Sequence, residues 1–277
     1  MRDGTASRTA MMVAGARAAH LVVDGEPVIL RDDVAAVLLG DAADGLVGYH
    51  REHGGHIVLW GTRALGVTRG RFVEDRIAAA GVEQYVVLGA GLDSFAFRNS
   101  GVRIFEVDHP DTQAWKRELI SAAGLAVPEG LEFVPVDLEG GGLAEGLAAA
   151  GFEAGRRTLV GWLGVSVYLS RESVVATVRE VAGLGAELVM DYMVPPGLRD
   201  GIGREYGAIA DRVVAESGEP ARTFLTPDEA EALVTGCGMG VRAHVGMEDA
   251  VPPETWRRDD ALRPFVFSRI LDATALI

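Results

Sequence analysis

An apolar run, Val86-Val87-Leu88, leads straight into Gly89-Ala90-Gly91, and a second apolar run closes on Phe105-Glu106-Val107-Asp108 nineteen residues after Gly89. This pairing constrains the fold more than any other part of the chain. A strand ending in Gly-x-Gly marks the first βα turn of a parallel α/β sheet, where missing side chains let the backbone approach a ligand. A carboxylate at the end of the next strand can accept hydrogen bonds from both hydroxyls of a ribose.

From residue 83 onward, short runs rich in Val, Ile and Leu alternate with helical stretches, the pattern of a mostly parallel sheet covered on both faces. The spacing predicts seven strands: Gln84–Leu88, Val102–Val107, Leu131–Val136, Thr158–Val165, Glu187–Met190, Gly240–His244 and Pro264–Arg269. Little helical pattern separates the last two, so they read as an antiparallel finish. Between strands, Thr112–Ala123 and Arg171–Leu184 carry apolar residues at helical spacing, and Ser170 is placed to cap the second. Thr226-Pro227-Asp228-Glu229 is a helix start, with a capping Thr, Pro at the first helical position and acids facing the positive dipole end. Residues 1–80 read as helical over Ser7–Ala19, Asp32–Leu39 and Ile57–Ala80, with too few apolar faces for a core of their own. The expected architecture is therefore an N-terminal helical cap, 1–80, on a Rossmann-like α/β domain, 81–277.

Charge narrows the partners. Forty acidic against 26 basic residues give a net charge of −14, and Lys116 is the sole lysine. Residues 1–80 hold nine Arg and ten Asp or Glu, so nearly all of the excess lies in the sheet domain. Nucleic acid and anionic membrane surfaces need a positive face, so neither is expected. Cys237 is the only cysteine, which excludes a disulfide framework or a Cys-based zinc site within one chain. Gly54 and Gly55 break the helix that would align His50, His53 and His56, so no metal is expected. No run reaches the roughly 18 apolar residues of a membrane span, and the chain reads as a cytoplasmic protein.

The turn itself selects among nucleoside cofactors. Dinucleotide enzymes place a third glycine where this chain has Ser94, so that a pyrophosphate can sit on a helix N-terminus. Asp93 beside it would repel a phosphate. S-adenosylmethionine carries no phosphate, and its ammonium suits an acidic loop. A third strand end, Val136-Asp137-Leu138, offers a carboxylate and an apolar face for an adenine.

Several ordered segments resemble the leucine carboxyl methyltransferase and polyketide O-methyltransferase family, in its bacterial small-molecule branch. They are Ser7-Arg8-Thr9-Ala10, Thr68-Arg69-Gly70-Arg71-Phe72-Val73-Glu74-Asp75, Leu88-Gly89-Ala90-Gly91-Leu92-Asp93-Ser94, Phe105-Glu106-Val107-Asp108-His109-Pro110, Val136-Asp137-Leu138, and Trp162 through Leu169. The resemblance implies S-adenosylmethionine as cofactor. It also implies Arg69 on the cofactor carboxylate, with Arg8 as a looser second cation. Gly89, Ala90 and Gly91 would lie under the methionine portion, Asp108 on the ribose, and Asp137 with Leu138 on the adenine. One departure stands out: Leu163 occupies a position where many relatives carry a glutamate that would meet the cofactor's amino group.

The implied reaction is O-methylation of a carboxyl or phenolic hydroxyl on a small, polyketide-like acceptor. A carboxylate needs no general base, whereas a phenol would gain from one. The sequence offers only weak candidates, His109 and Tyr192. The rival readings are a protein C-terminal carboxyl methyltransferase, a cofactor-binding protein without methyl transfer, and an NAD-dependent oxidoreductase. A homodimer is left open as the oligomeric state.

Overall fold

The structure, a computed structural model, describes residues 7–216 and 220–276. Seven strands form one sheet: β1 (Gln84–Leu88), β2 (Arg103–Asp108), β3 (Leu131–Pro135), β4 (Thr158–Trp162), β5 (Glu187–Met193), β6 (Met239–Gly246) and β7 (Ser268–Ala275). Their order is β3-β2-β1-β4-β5-β7-β6. The first five pair in parallel, and β7 is antiparallel to both β5 and β6. The strand order reverses between β1 and β4, and ligands of open α/β sheets bind in the crevice at such a point.

Strand alternation sends the two faces of β1 into different cores. Val86 and Leu88 join Leu143 and Leu147 of α7 (Leu143–Ala149), Val174, Val178 and Val181 of α8 (Arg171–Gly183), and Leu233 and Val234 of α10 (Pro227–Gly236). Tyr85 and Val87 face the other way, against Val73 and Ile77 of α4 (Ile57–Ala80) and Phe95 and Ala96 of the four-residue α5 (Phe95–Arg98). Thr226 starts α10 with a complete capping box: its hydroxyl accepts from Glu229 N at 3.2 Å, and the Glu229 carboxylate accepts from Thr226 N at 2.9 Å.

Before β1 come α1 (Arg8–Val23), α2 (Val34–Leu39), α3 (Ala42–His53) and α4. A buried polar network joins α3 and α4 to the end of α1. Arg63 of α4 pairs with Asp24 through Nε and Nη2 at 2.8 and 2.9 Å, and its Nη1 meets His50 Nδ1 at 3.0 Å. The upper half of α4 packs through Trp60, Ala64 and Val67 against Tyr206 of α9 (Gly201–Glu216), Phe265 and Phe267.

Strand boundaries differ from the sequence pattern at every strand but β1, and at two of them the cause is plain. The apolar run at Phe265 and Phe267 is not a strand; both rings join the aromatic cluster, with Trp60–Phe265 centroids at 5.5 Å and Tyr206–Phe267 at 4.8 Å. The strand begins at Ser268 and runs through Arg269 and Asp272. Asp272 is buried because Arg76 of α4 meets it at 2.7 Å. At β4, Gly164 turns the chain at φ +73°, so the strand stops at Trp162 instead of Val165.

Candidate functional site

A cavity of about 700 Å³ opens at the carboxyl ends of β1, β2, β3 and β4, roofed by α1 and α4. Its floor is the Gly89-Ala90-Gly91 turn. Gly89 and Gly91 have φ of +66° and +47°, a region that residues with a Cβ rarely enter. Both are also crowded from above. A Cβ on Gly89 would collide with Val165, and one on Gly91 would lie 3.2 Å from Ala10 of α1.

Asp108 closes β2 beside the turn. One of its oxygens accepts from Gly91 N at 2.6 Å and the other from His109 N at 2.7 Å. A carboxylate has about four acceptor positions, so both oxygens retain capacity for a ligand. Burial pushes the Asp108 pKa up, against the two backbone hydrogen bonds. At the end of β3, Asp137 is exposed and accepts from Glu139 N at 3.0 Å, while Leu138 is buried beside it. Both line the cavity.

Arg69 reaches the cavity from α4, its guanidinium lying flat against Gly164. Its Nη1 donates to Asp191 at 3.1 Å, and the other oxygen of Asp191 accepts from Gly164 N at 2.5 Å. Among the described residues this is the only hydrogen bond Arg69 makes, so its remaining N–H groups are available to a ligand. Asp191 thus locks helix, strand and glycine turn together. It sits just inside the end of an apolar strand, but nothing in the sequence names Arg69 as its partner.

The remaining sequence candidates separate. His109 lines the cavity, yet its Nδ1 accepts from Asp111 N at 3.2 Å, capping α6 (Pro110–Ala122). Tyr192 does not line it. Alternation along β5 turns Asp191 toward α4 and Tyr192 toward α10, where its hydroxyl meets His244 Nε2 at 2.5 Å. Burial pushes the Tyr192 pKa up, so the phenol stays protonated. Arg8 is exposed on the first turn of α1 and is not among the lining residues, whereas Ser7, Thr9 and Ala10 are. The α1 cation that does line the cavity is Arg17, held by Asp32 at 2.7 Å and Leu92 O at 2.6 Å.

Residues 10–182 match the family model described as leucine carboxyl methyltransferase. The chain belongs to the leucine carboxyl methyltransferase family. Among similar proteins is the Bacillus subtilis (strain 168) protein named "Putative S-adenosyl-L-methionine-dependent methyltransferase YktD", 33% identical over 61% of this chain and 58% of that one. A Mycobacterium avium (strain 104) protein with the same style of name is 29% identical over 85% of this chain and 79% of its own length. This member thus spans under two thirds of the length of YktD. A crystal structure of a DUF574 family protein from Streptomyces avermitilis superposes with a TM-score of 0.61 over 99% of both chains. At 15% identity this likeness is one of fold. Among the described residues of this family member, no helix is long and apolar enough to cross a membrane, and no group of His, Cys, Asp and Glu is placed to hold a metal ion.

Proposed function

We propose that this chain transfers a methyl group from S-adenosylmethionine to an oxygen, carboxyl or phenolic, of a small polyketide-like molecule. The observation that carries the reading is the convergence of three successive strand ends and one helix cation, Arg69, on a single cavity. The donor set fits the cofactor. Asp108 would accept from the ribose, Asp137 and Leu138 would meet the adenine, and the spare N–H groups of Arg69 would hold the carboxylate. Asp93 argues against a dinucleotide: its carboxylate accepts from Phe95 N at 2.8 Å and so occupies the helix N-terminus a pyrophosphate would use.

When bound, S-adenosylmethionine supplies a methyl carbon activated by a sulfonium: an acceptor oxygen forms the O–CH3 bond while the S–CH3 electron pair returns to sulfur, leaving a neutral thioether. The protein's part is alignment and exclusion of water. The α1 and α4 roof and the Arg69–Asp191 lock supply both. A carboxylate acceptor fits best with a lining whose one imidazole, His109, is committed to capping a helix.

Thermal-shift and calorimetric titration should show S-adenosylmethionine and S-adenosylhomocysteine stabilising the fold. Arg69→Ala and Asp108→Ala should each weaken binding by about tenfold to a hundredfold, as for hydrogen bonds to charged groups. Labelled methyl should pass to members of a panel of aromatic acids and phenols. Stabilisation by NAD alone, or unchanged affinity in both variants, would sink the assignment.

A further inference from the structure

Part of the cavity lies beneath α4, away from the glycine turn. Val73 and Glu74 of α4 line it from one side, Tyr85 and Val87 of β1 from the other, with Gly161 of β4 and Leu163, just past the end of that strand, beside them. Tyr85 is 2% exposed, and what surface it keeps faces this space. Its hydroxyl makes no hydrogen bond among the described residues, and it is not sealed from the cavity. A buried phenol without a partner is costly, and such groups are usually satisfied by something.

The hydroxyl is held in place. In register Tyr85 lies beside Leu159, but its ring leans along the sheet by two residues, so that the phenol oxygen sits over Gly161. Any Cβ at 161 would collide with that oxygen. Phe95 packs edge-on against the ring, with centroids 5.1 Å apart at 73°. Leu163, two residues beyond Gly161 on the same face, offers only hydrocarbon.

The surroundings keep the phenol neutral. Burial pushes the Tyr85 pKa well up, and the carboxylates of Asp93, Glu74 and Glu106 push it further, with the Arg98 guanidinium opposing. The phenol therefore stays protonated, with its lone pairs free to accept from a donor in the cavity. Glu74 is itself paired with Arg98 at 2.6 and 3.3 Å, and Glu106 with Lys116 at 2.5 Å.

We propose that the Tyr85 hydroxyl is the hydrogen-bond acceptor for the α-ammonium at the amino-acid end of the cofactor, with Arg69 taking the carboxylate of the same group. This rests on the cofactor reading above and adds a residue toward that ligand. Two cationic and anionic ends of one amino acid are then recognised by different elements: the carboxylate by a helix cation, the ammonium by a strand phenol made accessible by Gly161.

Isothermal titration separates the two claims. The probes are S-adenosylhomocysteine and 5′-S-(3-carboxypropyl)-5′-thioadenosine, which keeps the carboxylate and lacks only the amino group. Tyr85→Phe, which retains the ring, should weaken S-adenosylhomocysteine by about tenfold and change the desamino compound by less than about twofold. Gly161→Ala keeps the tyrosine but displaces its oxygen, and should shift affinity in the same selective way. Circular dichroism and Tm establish that both variants fold. Equal effects on the two probes, or none, overturn the role of Tyr85. Failure of the unaltered protein to bind S-adenosylhomocysteine overturns the cofactor reading instead, and the Tyr85 proposal with it.

Discussion

Lys116 is the only lysine in the chain and it is 1% exposed. Its ammonium donates to Glu106 at 2.5 Å and to Asp93 O, just beyond the glycine turn, at 2.7 Å. Burial pushes the Glu106 pKa up to about 7 while Lys116 pulls it down, and one Glu106 oxygen has no partner among the described residues. Removing the cation leaves a buried carboxylate alone, so Lys116→Met should cost roughly 3–5 kcal/mol. Adding Glu106→Leu should recover most of that, because two apolar groups carry no such penalty. Urea unfolding at pH 7 checks both, and equal losses in the single and double variants would show that the pair is not coupled. Little of this was legible beforehand. A lysine in α6 reads as solvated, and Glu106 reads as one more residue before Asp108, because sequence spacing does not show which strand a helix covers. Gly89, Gly91, Asp108 and Asp137 were legible because each sits where an apolar run stops, and the end of a strand is a local feature.

The helix α4 spans 24 residues, about 36 Å, and serves a different neighbour on almost every turn. Arg63 pairs with Asp24, Arg69 reaches the cavity, Glu74 meets Arg98, and Arg76 pairs with Glu187 and Asp272. Two of its glycines, Gly61 and Gly70, are spacers: a Cβ on Gly70 would lie 2.8 Å from Leu30. A Cβ on Gly61 would lie 2.6 Å from the Tyr206 ring and 3.3 Å from Phe265. Gly61→Ala should therefore lose about 1–3 kcal/mol by overpacking, despite the better helix former. Gly45 in α3 has open space around its Cα, so Gly45→Ala should gain about 0.5–1 kcal/mol. Paired denaturant melts measure the contrast, and a gain at both sites would mean that α9 yields easily. The extent of α4 was readable in the sequence. Its glycines were not, because Tyr206 and Phe265 arrive from distant parts of the chain. The same distance effect displaced β7 from its expected place, because its polar Arg269 donates to His244 O and its Asp272 is met by Arg76, partners that no local pattern reveals.

At the scale of the whole molecule, the N-terminal helices respond to pH through His50. Its Nδ1 faces Arg63, which can only donate, so the imidazole is neutral and accepts. Burial, and then the Arg63 charge, hold its pKa down to about 4 from 6.5. Between those values the unfolded chain binds a proton that the folded chain refuses, so stability from this site is full above pH 6.5 and falls as pH drops toward 4. The stability difference between the protein and His50→Gln should shrink over that window by at most roughly 3 kcal/mol. Urea melts at pH 7, 6, 5 and 4 would follow it, and a constant difference would show that His50 does not stay neutral in the fold. The sheet has a second consequence, one of timing. β7 lies between β5 and β6 but follows both in the chain, so β6 has no strand to pair with until β7 is made. At ribosomal rates of roughly 5–20 residues per second, that leaves two open strand edges exposed for a few seconds. The interval is when a nascent chain of this topology is most open to pairing with a stranger.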